Sequence, residues 1–245
     1  MRYLMTFSYD GSKYNGYQKQ PDMITVQGIL EEKLTQINSN EFVSVSASGR
    51  TDSGVHAINQ KAHFDLNFDV SIDKLKNSLN KMLPSDIYIK EVKRVEDSFH
   101  ARFDVKRKKY TYKINIGEYN PLQVNYVYQL NNILDIESMK EAAKLFIGEH
   151  DFTSYTKGCE EKESYIRTIY NVKIEEKNSI IEITFVGSGF LRYMVRNMVG
   201  SLLEVGLGKL KSSSISEILE ARDRTKAGIT APSCGLYLMD VEYTL

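Results

Sequence analysis

What most limits the fold of this chain is the way its apolar residues switch period. Tyr3, Met5, Phe7 and Tyr9 share one parity, the period of two that marks a half-buried strand. "DGSKYNGYQKQPD" then breaks the pattern with glycines, a proline and short polar residues, so the strand feeds a polar, tyrosine-bearing loop. After Thr25, a candidate N-cap, Val26, Ile29, Leu30, Leu34 and Ile37 take helical spacing, with charged residues on the opposite face. Val43, Val45 and Ala47 alternate with serines. Ala62, Phe64, Leu66 and Phe68 alternate with His63, Asp65, Asn67 and Asp69, so "GRTDSGVHA" joins two strands. A second helix turns Leu75, Leu79, Met82 and Leu83 inward between Ser71 and Pro84, and "DIYIKEVKRV" resumes strand character.

The same ingredients return further on. A strand is expected near Tyr110 to Ile116, then a helix with Ile136, Met139, Ala143, Phe146 and Ile147 inward, closed by Gly148. Two strands flank "EEKNS", a long helix starts near Leu191, Ser214 with Glu217 reads as a capping box, and "GLYLMDVEY" closes the chain as a strand. There are too many strands for a helix bundle and no strict strand-helix alternation for a parallel sheet. The expected fold is therefore α+β: two similar α+β halves, residues 1–105 and 106–245, with mixed, mainly antiparallel sheets flanked by helices. A central catalytic cleft is expected between the halves.

Composition narrows the function classes. With 42% hydrophobic and 26% charged residues the chain can bury a core. No run approaches the roughly 18 apolar residues of a membrane span, and "MRYLMTFSYDG" alternates where a signal peptide would be continuously apolar. A cytoplasmic protein with no membrane partner is the expectation. Cys159 and Cys234 are far apart and lack a histidine cluster, so two reduced thiols are expected, with no disulfide framework and no zinc. Thirty-two basic residues balance thirty-two acidic ones, so any nucleic-acid surface must be a local patch. There is no G-x-x-x-x-G-K, no H-E-x-x-H and no carboxylate set spaced for calcium; no nucleotide, metal or redox cofactor is expected.

Three polar features stand out. Thr51-Asp52-Ser53-Gly54 makes an ordinary β-turn, yet Arg50, two residues from Asp52, can project to the same face in extended backbone, and the flanking glycines admit a close ligand. An aspartate held ionised by a cation is a nucleophile or a base, and the absence of a second nearby carboxylate points to covalent or single-base chemistry. His56, beyond Gly54, reads as a hydrogen-bonded structural histidine. In "KRKKYTYKI", Tyr110 is either a core tyrosine or a base-stacking one, and the basic run before it is either a solvated edge or a ridge for single-stranded RNA. In "GFLRYMVRNMVGSLL", Leu191, Met194, Val195, Met198 and Leu202 form a buried stripe, while Arg192 and Arg196 lie one turn apart. Their anionic partner is a phosphate or Asp52, unless both are surface residues.

Taken together and in order, "YDGSKYNGYQKQ", "TVQGILEEKL", "SASGRTDSGVHA", "FHARFDVKRKKYTY", "DFTSY", "GFLRYMVRNMVG" and "APSCGLYL" resemble the bacterial tRNA pseudouridine synthase A family over almost the whole chain. The resemblance implies that Asp52 is the catalytic aspartate, which attacks either the sugar C1′ or the uracil ring while the N1–C1′ bond breaks and the base rejoins through C5. It implies that Tyr110 stacks on the uracil, that Arg196 pairs with the aspartate, that Arg50 grips the RNA backbone of a flipped-out nucleotide, and that Leu236 walls the pocket. It further implies a homodimer without cofactor or metal, acting on uridines 38, 39 and 40 of the tRNA anticodon stem-loop, where recognition by RNA shape suits neighbouring targets. The chain departs from the family in carrying Tyr17 where tryptophan is usual and in its neutral net charge. The alternatives are a non-catalytic tRNA-binding or folding module, a related synthase acting on other RNA uridines, and a base-excising hydrolase using the same aspartate.

Overall fold

The computed structural model of the protein describes residues 1–157 and 164–244; Cys159 lies outside them. Two compact units are present, Met1–Lys106 together with Tyr237–Leu245, and Arg107–Leu236. The first runs β1 (Arg2–Tyr9), α1 (Val26–Ile37), β2 (Ser46–Ala47), β3 (His56–Asp65), α2 (Ile72–Met82) and β4 (Ile87–Arg94), the order that the apolar periods predict. β1 lies between β3 and β4, antiparallel to both, and β2 pairs with β3. Thr25 caps α1 by accepting the Gly28 N–H at 3.3 Å, removing one of the unpaired donors of a helix start. Leu75 and Leu79 are buried on α2, which packs against β4.

Part of the second face of this sheet is covered as well, which the alternation along β1 alone does not predict. Tyr3, Met5, Phe7 and Tyr9 are buried as expected, but so is Leu4, which packs with Phe99, Ala101, Val95 and Tyr243. Leu4 faces His63 across the β1–β3 ladder, and His63 is buried although it alternates with the apolar positions. Residues 99–101 are laid over that face by three hydrogen bonds: Arg2 Nη1 donates to Phe99 O at 2.8 Å, the Ala101 N–H to His63 Nδ1 at 3.1 Å, and Tyr243 Oη to Ala101 O at 2.6 Å. Phe68, beyond the end of β3 at Asp65, is exposed.

Burial, with Arg2 and His100 adding like charge, lowers the His63 pKa from 6.5 to about 4. The folded state therefore binds that proton less readily than the unfolded chain, so the stability is complete above pH 6.5 and is lost progressively as pH falls towards 4. The expected loss is roughly 2 to 3 kcal/mol. Urea unfolding between those pH values checks it: the limb should be shallower in His63→Asn, and equal slopes would contradict the assignment.

The second unit contains β5 (Val105–Asn115) from Arg107 onward, β6 (Tyr128–Gln129), α3 (Ile136–Lys144), β7 (Gly148–Asp151), β8 (Ile166–Lys177), β9 (Ile180–Gly187), α4 (Met194–Gly206) and α5 (Ser214–Ala221). β5, β9, β8 and β7 form consecutive antiparallel pairs, and β6 runs parallel to β5. The closing strand β10 (Leu236–Tyr243) folds with the first unit from Tyr237 on, where Tyr237 and Leu238 run parallel to His56 and Ala57 of β3. Pattern alone leaves that strand in the second half. The fold class is α+β, with mixed, mainly antiparallel sheets and flanking helices.

Three local expectations are corrected. α3 ends at Lys144, and Gly148, with φ +117°, opens β7 in place of closing a helix; Phe146 is nevertheless buried and Ile147 exposed. Ser214 is the first helical residue of α5, so the capping box with Glu217 does not form, and the cap residue Ser213 makes no side-chain cap bond. Tyr193 takes φ +62°, so α4 starts at Met194, and Arg192 lies before the helix, not one turn from Arg196 along it.

Candidate active site

"GRTDSGVHA" connects β2 to β3 and is fastened from both sides. On the β2 side, the Ser48 N–H donates to Lys61 O at 2.8 Å, Ser48 Oγ to Gln60 Oε1 at 2.6 Å, and Gln60 Nε2 to Gly49 O at 3.0 Å. The tip is a turn in which the Val55 N–H donates to Asp52 O at 3.1 Å, with Gly54 at φ +77°, a conformation cheap for glycine alone. Arg50 is exposed and Asp52 half-buried on this tip.

The loop after β1 supplies the other fastenings. The Tyr17 N–H donates to Thr51 O at 3.1 Å, Ser53 Oγ to Tyr14 O at 3.1 Å, and Tyr9 Oη shares a 2.8 Å bond with Thr51 Oγ1. Burial pushes the Tyr9 phenol up to about 12, so it is a neutral hydrogen-bonding group at physiological pH. Gly11 and Gly16 let backbone approach backbone. A Cβ on Gly11 would fall 1.9 Å from Val55 O, and one on Gly16, at φ +88°, would fall 2.8 Å from Thr51 O. His56 is structural, as expected: 2% exposed, its Nδ1 accepts the Gly11 N–H at 3.1 Å, and its ring stacks on Tyr237 at 4.7 Å. Asp10 Oδ1 lies 3.2 Å from the same nitrogen.

Tyr110, Arg196 and Leu236 belong to the second unit. Tyr110, on β5, is 7% exposed and meets the Phe190 ring edge to face at 5.2 Å, a contact that fixes the attitude of its ring. Arg196 is held at two points on the same residue: its Nε donates to Ala231 O at 2.7 Å, and its own carbonyl accepts the Ala231 N–H at 3.1 Å. Its Cζ lies 5.1 Å from the centroid of the Tyr193 ring. Leu236 is buried where β10 begins. The segment ahead of it is tied to β5 by Tyr112 Oη, which donates to Pro232 O at 2.7 Å, and by Gly235, where a Cβ would sit 2.6 Å from Lys113 O.

Beside the apolar stripe and arginines that its spacing predicts, α4 carries a polar, small-residue face that organises this unit, which periodicity does not reveal. Asn197 is fully buried: its Nδ2 donates to Tyr155 O at 2.7 Å, and its Oδ1 accepts from Arg224 Nη2 at 3.0 Å and Thr230 Oγ1 at 2.7 Å. Ser201 Oγ donates to Ala227 O at 2.8 Å, and a Cβ on Gly200 would fall 1.8 Å from Ile229 O. Asn197, Gly200 and Ser201, spaced three and four apart, thus bring the 224–231 segment against the helix; that spacing was the available signal. The structure places Arg50 and Asp52 on the one β2–β3 connection of the first unit, and Tyr110, Arg196 and Leu236 in the second. Among the described residues no group of three or more His, Cys, Asp or Glu side chains is placed to hold a metal ion.

These features coincide with clear similarities to known proteins. The family model described as tRNA pseudouridine synthase matches residues 5–104 and 142–244. The tRNA pseudouridine synthase A of Geobacillus sp. (strain WCH70) is 46% identical over 239 residues, covering 97% of this chain and 96% of that protein. The one from Pseudothermotoga lettingae is 45% identical over 244 residues, covering 99% of each, and that of Limosilactobacillus reuteri (strain DSM 20016) is 42% identical over 248 residues, covering 99% of this chain and 96% of that protein. The chain belongs to the tRNA pseudouridine synthase family. It is an isomerase that converts uridine to pseudouridine in tRNA.

Proposed function

We propose that the enzyme isomerises uridines 38, 39 and 40 of the tRNA anticodon stem-loop with Asp52 as its attacking carboxylate. Atoms balance without a cofactor: the N1–C1′ bond breaks, a C5–C1′ bond forms, the C5 proton leaves to water and N1 gains one. An ionised carboxylate supplies the electron pair for the attack, and the bond it makes, to C1′ or to the uracil ring, is broken again before the product leaves, which returns the free carboxylate. The observation that carries this role is the turn at Asp52, whose backbone is held by hydrogen bonds to the 14–17 loop and to β3, so that a half-buried carboxylate is presented from a preorganised support. Tyr110 stacks on the uracil, Arg196 is the basic residue of the pocket, Arg50 binds the RNA backbone and Leu236 is an apolar wall. The same reading carries a homodimer working in the cytoplasm.

The test uses purified protein and tRNA transcripts carrying uridine tritiated at C5. Tritium release is expected from a transcript with uridine at 38, 39 and 40, and should fall to background when all three are cytidine. Release persisting from the cytidine transcript would assign the enzyme to other uridines, and no release from either would overturn the reaction and leave an RNA-binding module or a base-excising hydrolase, which abasic RNA product would tell apart.

A further inference from the structure

Tyr193 is the one aromatic residue among the described positive-φ residues, at φ +62° and ψ −1°. A bulky side chain in left-handed backbone is an outlier that persists only where the surroundings enforce it, and such strain gathers at functional sites. Here the strain places a ring next to two cations. Arg196 Cζ lies 5.1 Å and Arg192 Cζ 5.2 Å from the ring centroid, both inside the range over which a π face attracts a guanidinium. Neighbouring bonds lock the residue in place: Tyr193 O accepts the Asn197 N–H at 2.9 Å, the first turn of α4, and Arg192 O accepts from Thr156 Oγ1 at 3.1 Å. Right-handed backbone at residue 193 would extend α4 backwards and carry the ring elsewhere.

We infer that Tyr193 is a positioning residue of the isomerisation reaction, setting the plane of the Arg196 guanidinium with its ring while Ala231 O anchors Nε. The Nε bond to Ala231 O at 2.7 Å and the ring centroid 5.1 Å from Cζ are two separate points of reference for a rigid planar group, and together they hold it to one orientation more closely than either does alone. A planar donor held in one orientation loses less entropy when it engages an anion than one that samples many. The inference rests on the proposed role of Arg196.

The test compares ring-free variants that tolerate left-handed backbone, Tyr193→Gly and Tyr193→Asn, with Tyr193→Phe, in otherwise wild-type enzyme and in Arg196→Ala. Expected is a tenfold or larger fall in single-turnover kcat for the ring-free variants, with KM for tRNA changed less than threefold, and restoration to within twofold by Tyr193→Phe. In the Arg196→Ala background the same changes at residue 193 should have no further effect, which a purely structural role would not produce; should Tyr193→Gly fail to fold, Tyr193→Asn carries the comparison. Full activity in the ring-free variants, while Arg196→Ala is impaired, would overturn the inference and leave the Arg196 role standing. Full activity of Arg196→Ala would overturn that role and the inference with it. Additive losses in the double variants would also overturn the inference.

Discussion

Asp52→Asn is expected to leave the protein folded and able to bind tRNA but to lower kcat by about 10⁴-fold or more, the scale seen when a group that forms the reaction's covalent bond is removed. The substitution keeps the size of the side chain and removes its charge and nucleophilicity. Asparagine has nearly the volume of aspartate and is at home in turns, and the bonds that hold this turn run through Thr51 O, Asp52 O, Ser53 Oγ and Gly49 O. The thermal midpoint should therefore move little while tritium release disappears. Activity within tenfold of the parent would remove Asp52 from the chemistry, and a large fall in the midpoint would show that the carboxylate holds the turn in place of acting on substrate.

Gly11→Ala is expected to cost about 3 kcal/mol of stability and to lower activity at the same time. The added methyl would lie 1.9 Å from Val55 O and 2.6 Å from Val55 C, and its obstacle is backbone, which no rotamer change can move aside. Relief requires the 11–17 loop and the Asp52 turn to separate, which lengthens the Gly11 N–H bond to His56 Nδ1 and disturbs the Tyr17 bond to Thr51 O. Gly208→Ala is the control: Gly208 has φ +70° with nothing within 4 Å of a Cβ, so it should cost only the conformational penalty of about 1 kcal/mol. Equal costs for the two variants, read from urea unfolding, would mean that the close approach at Gly11 is not what holds the turn.

What could be read in advance followed from local rules. A period of two identified β1 and β3, a period of 3.6 identified α1 and α2, and Thr25 marked the start of α1, because backbone geometry ties these periods to a buried face whatever that face is buried against. The errors fell where distant contacts prevail over local ones. Leu4 and His63 have the parity of a solvated face, and residues 99–101, far along the chain, bury them. α4 starts later than its apolar spacing predicts because nothing in "FLRYM" announces the left-handed backbone at Tyr193. The polar face of α4 is not legible in the sequence, because Asn197, Gly200 and Ser201 have meaning only once the 224–231 segment lies against them.

At the candidate site the same division holds. By itself the sequence determined the kinds of element, the turn at Asp52 with glycine where positive φ is needed, and the membership of a tRNA pseudouridine synthase family, because these depend on residue type and short spacing. Only the tertiary structure decided that His56 is spent on holding Gly11, that Gly11 and Gly16 admit the turn against the 11–17 loop, and that Arg196 is anchored on Ala231. The physical reason is that a hydrogen bond or a close approach of two backbones is a property of a pair, and its members here stand some thirty-five to forty-five positions apart in the chain, beyond the reach of any local pattern.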